Sequence, residues 1–215
     1  MRTKPTKPTP YEPRFAKFCS SFEPFNLYSQ FGEDAIIKAL FDRIGASNKW
    51  ALEVGAHDGI FMSNTRRLIE TEGWGAVLIE MDDEQYQHLA AEYRDNDRVF
   101  TVHRKIDGDN TIDSIIDILG VHPAMDLMVI DIDGQDYWAL YDLKATPRVL
   151  MVEFSPNDKD AHFFPERDGE GQAGEQAIRD LLELKNYIPI CSTLVNCIAV
   201  RWDLAEKIDG ANWNI

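Results

Sequence analysis

Cysteine is scarce. Cys19, Cys191 and Cys197 are the only three in 215 residues, an odd and widely spaced set that excludes a disulfide framework or a cysteine metal site. Reduced thiols in a cytoplasmic protein are the expectation. No apolar run approaches the roughly 20 residues that span a bilayer, and the N-terminus shows no apolar stretch of the secretory kind. Basic residues are also few: 22 Lys and Arg face 37 Asp and Glu, a net charge of −15. The imbalance is uneven. Residues 1–17 hold Arg2, Lys4, Lys7, Arg14 and Lys17 against Glu12 alone, a net of +4, which leaves −19 for the rest. So acidic a body repels a phosphate backbone, and nucleic acid is a poor fit as a partner. The basic segment reads as a solvated tail more readily than as a dock for an anionic partner.

What is present describes a globular chain. Hydrophobic residues make up 44% and charged residues 27%, and the length suits one domain. Pro5, Pro8, Pro10 and Pro13 forbid a helix at the start and favour extended backbone. Residues 1–17 are therefore expected as a flexible extension, and 18–215 as one domain. Apolar positions at helical spacing mark a helix ending at Ile44 and Gly45. Short apolar strands follow at 50–54, 76–79, 98–102, 127–132 and 149–154, each separated from the next by a helical pattern. A helix over 173–184 precedes strands at 187–191 and 194–200, joined by Ser192 and Thr193 as an antiparallel hairpin. Strands alternating with helices give an α/β fold, a mostly parallel sheet covered on both faces. The first five strands are continuously apolar, as such burial requires.

Ligands of doubly wound sheets sit beyond the carboxyl ends of the strands. The first of these strands ends in Glu53-Val-Gly55-Ala56-His57-Asp58-Gly59. Gly55 permits a sharp turn and close approach of a ligand, Gly59 the same at the loop exit. A helix opening near Ser63 would present N–H groups to a carboxylate. A dinucleotide site needs G-x-G-x-x-G, so that pyrophosphate meets the backbone. Here His57 and Ile60 occupy the second and third glycine positions. S-adenosylmethionine has no pyrophosphate and suits this looser loop. Glu80 ends the next strand, where its carboxylate can accept both ribose hydroxyls of an adenosine. Asp107, after the third strand, competes with Lys105 and Asp109 for a place near the adenine.

The fourth strand carries Ile130-Asp131-Ile132-Asp133-Gly134-Gln135-Asp136. Period-two alternation puts Asp131 and Asp133 on one face. Clustered carboxylates need a cation, a proton or hydrogen-bond donors to balance them. Asp131 or Asp133 could act as a base toward an accepting hydroxyl, with His57 next in line. The alternatives are a divalent metal held by Asp131, Asp133 and Asp136, or a non-catalytic module that binds a cofactor or partner. Against these stand plain structural roles: Asp136 as a helix cap, Asp133 in a turn, His57 on a solvated loop. Glu153, then Phe154-Ser155-Pro156-Asn157, adds an acid and an amide to the same rim. The long polar loop 157–174 is expected to cover the acceptor site.

These segments together resemble a known family. Tyr28-Ser29-Gln30-Phe-Gly-Glu-Asp34, Leu52-Glu-Val-Gly-Ala-His-Asp-Gly59, Ser63-Asn64-Thr65, Gly73-Trp-Gly-Ala-Val-Leu-Ile-Glu80 and Ile130 to Trp138 are similar to FkbM-type methyltransferases, in matching order over most of 28–201. The resemblance implies a Rossmann-like class I methyltransferase fold, with a seven-stranded sheet and a C-terminal antiparallel hairpin. It implies S-adenosylmethionine as cofactor and places Ser29 and Gln30 near it; with the loop and strand-end readings above, the candidate cofactor residues are Gln30, Glu53, Gly55, Ala56, Asp58, Gly59, Asn64, Glu80, Asp107 and Asp131. It also implies O-methylation of a sugar, glycan or small-metabolite hydroxyl. The segment Asp131-Ile-Asp-Gly-Gln-Asp-Tyr-Trp138 departs from the more common pattern, which has Glu before the glycine.

Overall fold

A computed structural model describes residues 4–156 and 160–209. Among the described residues one sheet of eight strands, numbered in chain order from β1 (Thr9–Pro10) to β8 (Asn196–Arg201), runs in the order β1-β7-β8-β6-β5-β2-β3-β4. Strands β2 (Trp50–Val54), β3 (Gly75–Glu80), β4 (Val99–His103), β5 (Leu127–Ile130) and β6 (Val149–Glu153) are parallel. Strands β7 (Tyr187–Ser192) and β8 (Asn196–Arg201) form the antiparallel hairpin, with β8 against β6. The hairpin turn is 193–195, closed by Thr193 N–H to Asn196 O at 2.9 Å. Leu194, expected in the strand, is an exposed turn residue.

Alternation along each strand sends side chains to two separate cores. Ala51, Leu127, Val129, Val149 and Met151 pack against α1 (Ala16–Ser20), α2 (Glu33–Ile44) and the start of α3 (Arg66–Glu72). Ala76 and Leu78 continue that face against α4 (Asp83–Glu92). Leu52, Val77, Met128, Ile130, Leu150 and Val152 face α5 (Ile112–Leu119), α6 (Asp136–Asp142) and α7 (Glu175–Leu184). Burial on both faces explains why the central strands carry no polar alternation.

The eighth strand corrects the expected count of seven. Within the segment expected as a flexible extension, Thr9–Pro10 forms β1 and pairs antiparallel with Ser192 and Cys191. A proline is tolerated there because β1 is an edge, where one N–H row has no partner strand. The Tyr11 hydroxyl donates to Glu175 at 2.7 Å. Phe15 and Phe18 are then fully buried against α2, each contributing about 2–3 kcal/mol of burial free energy. Proline spacing excluded a helix up to Pro13 but carried no sign that the next turn delivers two phenylalanines to the core.

Candidate active site

A cavity of about 470 Å³ lies along the carboxyl ends of β2 to β6. Its wall follows strand order: Arg104 and Lys105 after β4, Glu80 on β3, Glu53 to His57 on β2, Asp131 to Asp133 after β5, Glu153 on β6 and Asn196 at the start of β8. Neighbouring strands are about 4.8 Å apart, so Glu80 and Glu153, three steps away from each other, are separated by about 14 Å. Gln30, Asn64 and Ser63 close the cavity from the α2 and α3 side.

The loop after β2 is pinned to β3. The Gly55 and Ala56 N–H groups donate to Ile79 O at 2.9 and 3.0 Å. Gly55 has φ +80, and a Cβ there would lie 1.7 Å from Asp131 O. The glycine is thus required by the crossing β5 chain, not only by a ligand. His57 adopts φ 50, an uncommon conformation for a side-chain-bearing residue. Its N–H donates to Glu80 Oε2 at 2.8 Å, while Glu80 Oε1 accepts from Met81 and Asp82 N–H, each at 2.8 Å. Three backbone donors therefore hold Glu80 in one orientation on the cavity wall.

Glu53 is spent differently. Its Oε2 accepts from Ser63 Oγ at 2.8 Å and Thr65 Oγ1 at 2.5 Å, and Oε1 from Asn64 N–H at 2.7 Å. Burial raises its carboxyl pKa, against the lowering effect of those donors. Its work is to fix the 63–65 loop. The helix end expected to bind a carboxylate is likewise taken, because α3 begins only at Arg66 and Ser63 Oγ accepts the Arg66 N–H at 3.1 Å. Asn64 Oδ1 is buried with no donor among the described residues.

Three sequence candidates lie off the cavity wall. Asp58 accepts from Ile60 and Phe61 N–H at 2.9 and 2.7 Å, forming a local turn. Gly59 faces the core, where a Cβ would meet Leu89 and Tyr93 at 2.7 Å. Asp107 accepts from the Asp109 and Asn110 N–H groups and the Asn110 side chain, and lines a separate small depression under Trp138.

The acidic segment is irregular. β5 ends at Ile130, and Asp133 has φ 51, so Asp131 and Asp133 do not share a strand face as period-two alternation expected. Both still line the cavity. Asp136 is fully buried, accepting from Ile132 and Gly134 N–H at 2.8 and 3.0 Å. Burial pushes its pKa up to about 6 despite those two donors. Turned away in this manner, it is no partner for a metal held by Asp131 and Asp133. Among the described residues no group of three His, Cys, Asp or Glu side chains is placed to hold a metal ion.

Asp131 instead meets a residue that the sequence placed only on the rim. The carboxyls of Asp131, just past β5, and Glu153, at the end of β6, lie close enough to act on each other. Two buried carboxyls side by side do not both ionise readily, so the pair keeps a proton. Burial raises both pKa values, and repulsion adds to it, from Glu153 and Asp136 on Asp131 and from Asp136 and Asp133 on Glu153. The Gln172 side-chain amide also donates to Glu153. Loop 160–174 is tied to the site by that amide and by Gln135, a lining residue whose Nε2 donates to Gly169 O and whose Oε1 accepts from the Asp168 N–H. The loop lines the cavity with none of its described residues. It is anchored by Trp138 Nε1 to Pro165 O at 2.9 Å and by Tyr137 stacked on Phe164. Asn157, also noted on the rim, lies outside the described residues.

Glu33 and Asn196 were not identified from sequence. Both are buried and line the cavity, joined by Asn196 Nδ2 to Glu33 Oε1 at 3.3 Å. They stand 163 positions apart, so no local motif links them. Acids in the first turn of an apolar helix were the available signal for Glu33.

No protein-family model matches the chain, and no curated protein matches it in sequence. Solved structures match in fold. A Klebsiella pneumoniae protein assigned as an O-methyltransferase aligns over 89% of this chain and 91% of its own, at 15% identity and a TM-score of 0.51. The METTL16 methyltransferase domain aligns over 77% of this chain and 66% of its own, at 12% identity and a TM-score of 0.50. The fold is the Rossmann-like class I methyltransferase fold. A SAM-dependent methyltransferase from Aquifex aeolicus also aligns, at 12% identity over 76% of this chain and 88% of its own, with a TM-score of 0.45.

Proposed function

We propose that this chain is an S-adenosylmethionine-dependent methyltransferase of the FkbM type that O-methylates a hydroxyl of a sugar or other small metabolite. The observation that carries this reading is the ordered wall of the cavity. A carboxylate held by three backbone donors, Glu80, stands about two strand spacings, about 10 Å, from Asp131 and three, about 14 Å, from its neighbour Glu153. A nucleoside belongs at Glu80 and an acceptor hydroxyl at the Asp131–Glu153 pair.

The residues present fit the cofactor. Glu80 has lone pairs left for ribose hydroxyls, and Asn64 Oδ1 is a buried acceptor awaiting a donor. Gln30 and Ala56 border the same space. When bound, the cofactor supplies a methyl group already activated on a sulfonium. The protein then has two tasks: to align the acceptor, an effect that supplies several kcal/mol, and to receive a proton. Asp131 is the base in this reading. Asp133 lies on the exposed rim, and the His57 ring is half-exposed beside Asp58.

The test is release of S-adenosylhomocysteine across pools of sugars, lipids and nucleic acids. The sugar pool should give product, and Asp131→Asn should lower turnover by roughly 100-fold or more with little change in cofactor affinity. Unchanged turnover in the variant would remove Asp131 from the chemistry.

A further inference from the structure

The cavity has two chemically distinct ends. Among its lining residues the cationic side chains are Arg104 and Lys105, both on the β4 side beyond Glu80. At the other end stand Glu33, Asp131, Asp133 and Glu153, with Asn196 beside Glu153 in the sheet register. Asn196 is only 3% exposed, its amide nitrogen donates to Glu33, and its Oδ1 is buried with no donor among the described residues. The flipped amide would set that oxygen against the Glu33 carboxylate, so the acceptor atom is fixed where it is. A buried acceptor without a donor costs about 1–3 kcal/mol, a cost that a bound donor would relieve.

We infer that Asn196, Glu153 and Asp131 form the acceptor-specifying subsite, and that it takes an uncharged polyol with adjacent hydroxyls while rejecting its phosphate esters and carboxylates. This rests on the reading above and deepens it. Three features decide the class. Four carboxyl side chains repel an anionic acceptor, and no lysine or arginine among the lining residues stands at that end to offset them. The Asp131–Glu153 pair, holding one proton, offers a donor and acceptors together. A hydroxyl also donates and accepts, whereas an ammonium only donates and leaves the shared proton without a partner. Asn196 Oδ1 adds an acceptor for a second, neighbouring hydroxyl. Glu153 is kept in place by Gln172, so loop 160–174 acts on the Glu153 carboxyl through that amide.

The experiment uses the full chain saturated with S-adenosylhomocysteine. Saturation-transfer NMR reads binding of a panel of hexoses, pentoses and cyclitols, each beside its phosphate ester and, for hexoses, its uronic acid. At least one uncharged member should give signal, its anionic derivatives none. Glu153→Gln, which cannot share a proton in the same manner, and Gln172→Ala, which releases Glu153 without touching the cavity wall, should each weaken that signal tenfold or more. Calorimetry with S-adenosylhomocysteine should stay within threefold of the wild-type affinity in both. Signal from the anionic members, from no member, or equally from wild type and both variants overturns the inference. Failure of S-adenosylhomocysteine to bind wild type would instead overturn the methyltransferase reading, so the two failures are separate.

Discussion

Replacing Gly55 by alanine tests the packing that shapes the loop after β2. Two costs act at this position. The first is conformational: φ +80 lies in the left-handed region, which costs an alanine about 1–2 kcal/mol. The second is contact. The new Cβ would sit 1.7 Å from Asp131 O and 2.9 Å from its carbonyl carbon, so the backbone must open by more than 1 Å. It would open between β2 and β5, two central strands tied at this point by Asp131 N–H to Val54 O at 3.2 Å. Losing that bond costs about 1 kcal/mol, and disturbed core packing another 1–3 kcal/mol. The total, about 3–6 kcal/mol, is a large part of a typical domain stability of about 5–15 kcal/mol. Gly120 is the control, since it has φ +66 with nothing within 4 Å of an added Cβ. Gly120→Ala should lose only the conformational part. Urea unfolding of both variants checks this. Losses equal to within about 1 kcal/mol would refute the claim that the Asp131 backbone dictates the glycine.

The course of the chain from Trp50 to Val200 was legible because period and composition agreed. Short apolar runs alternating with helical patterns gave β2 to β6, and Asp82 and Thr111 opened α4 and α5 as side-chain caps. Glu80 was legible because an acid ending a buried strand can only face the carboxyl edge. What escaped was set by contacts between distant segments. The reason for Gly55 lies in Asp131, 76 positions on, and the partner of Glu33 lies in β8. β1 escaped because two residues carry no period, and one of them is a proline. Asp58, Gly59 and Asp107 were drawn to the site by loop membership. Local turns and the Leu89–Tyr93 core hold them elsewhere.

Two further outcomes follow. The groups around the Asp131–Glu153 pair are Glu53, Asp133, Asp136 and the Gln172 amide. Burial and those negative neighbours raise the pair above ordinary carboxyls, so its base form appears only as pH rises well past 4. Product formation at saturating cofactor should therefore climb through the neutral range, and Asp131→Asn should abolish that limb. A profile flat from pH 5 to 8 would count against the pair. Phe15→Ala and Phe18→Ala should each cost about 3–5 kcal/mol in urea unfolding, because both rings are fully buried against α2. Losses under about 1 kcal/mol would show that neither ring is needed by the core, as expected if the chain's start were an appendage.

The central claim is that the cavity beside Glu80 binds the nucleoside end of the cofactor. Isothermal calorimetry with S-adenosylhomocysteine tests it most directly, on wild type and on Glu80→Ala. Charge-assisted hydrogen bonds of about 1.5–3 kcal/mol each require at least a tenfold loss of affinity in the variant, with thermal unfolding run alongside to confirm that it folds. Saturable one-to-one binding to wild type, weakened by that factor in Glu80→Ala, is the outcome the account predicts. No binding to wild type, or equal affinity in the folded variant, would contradict it.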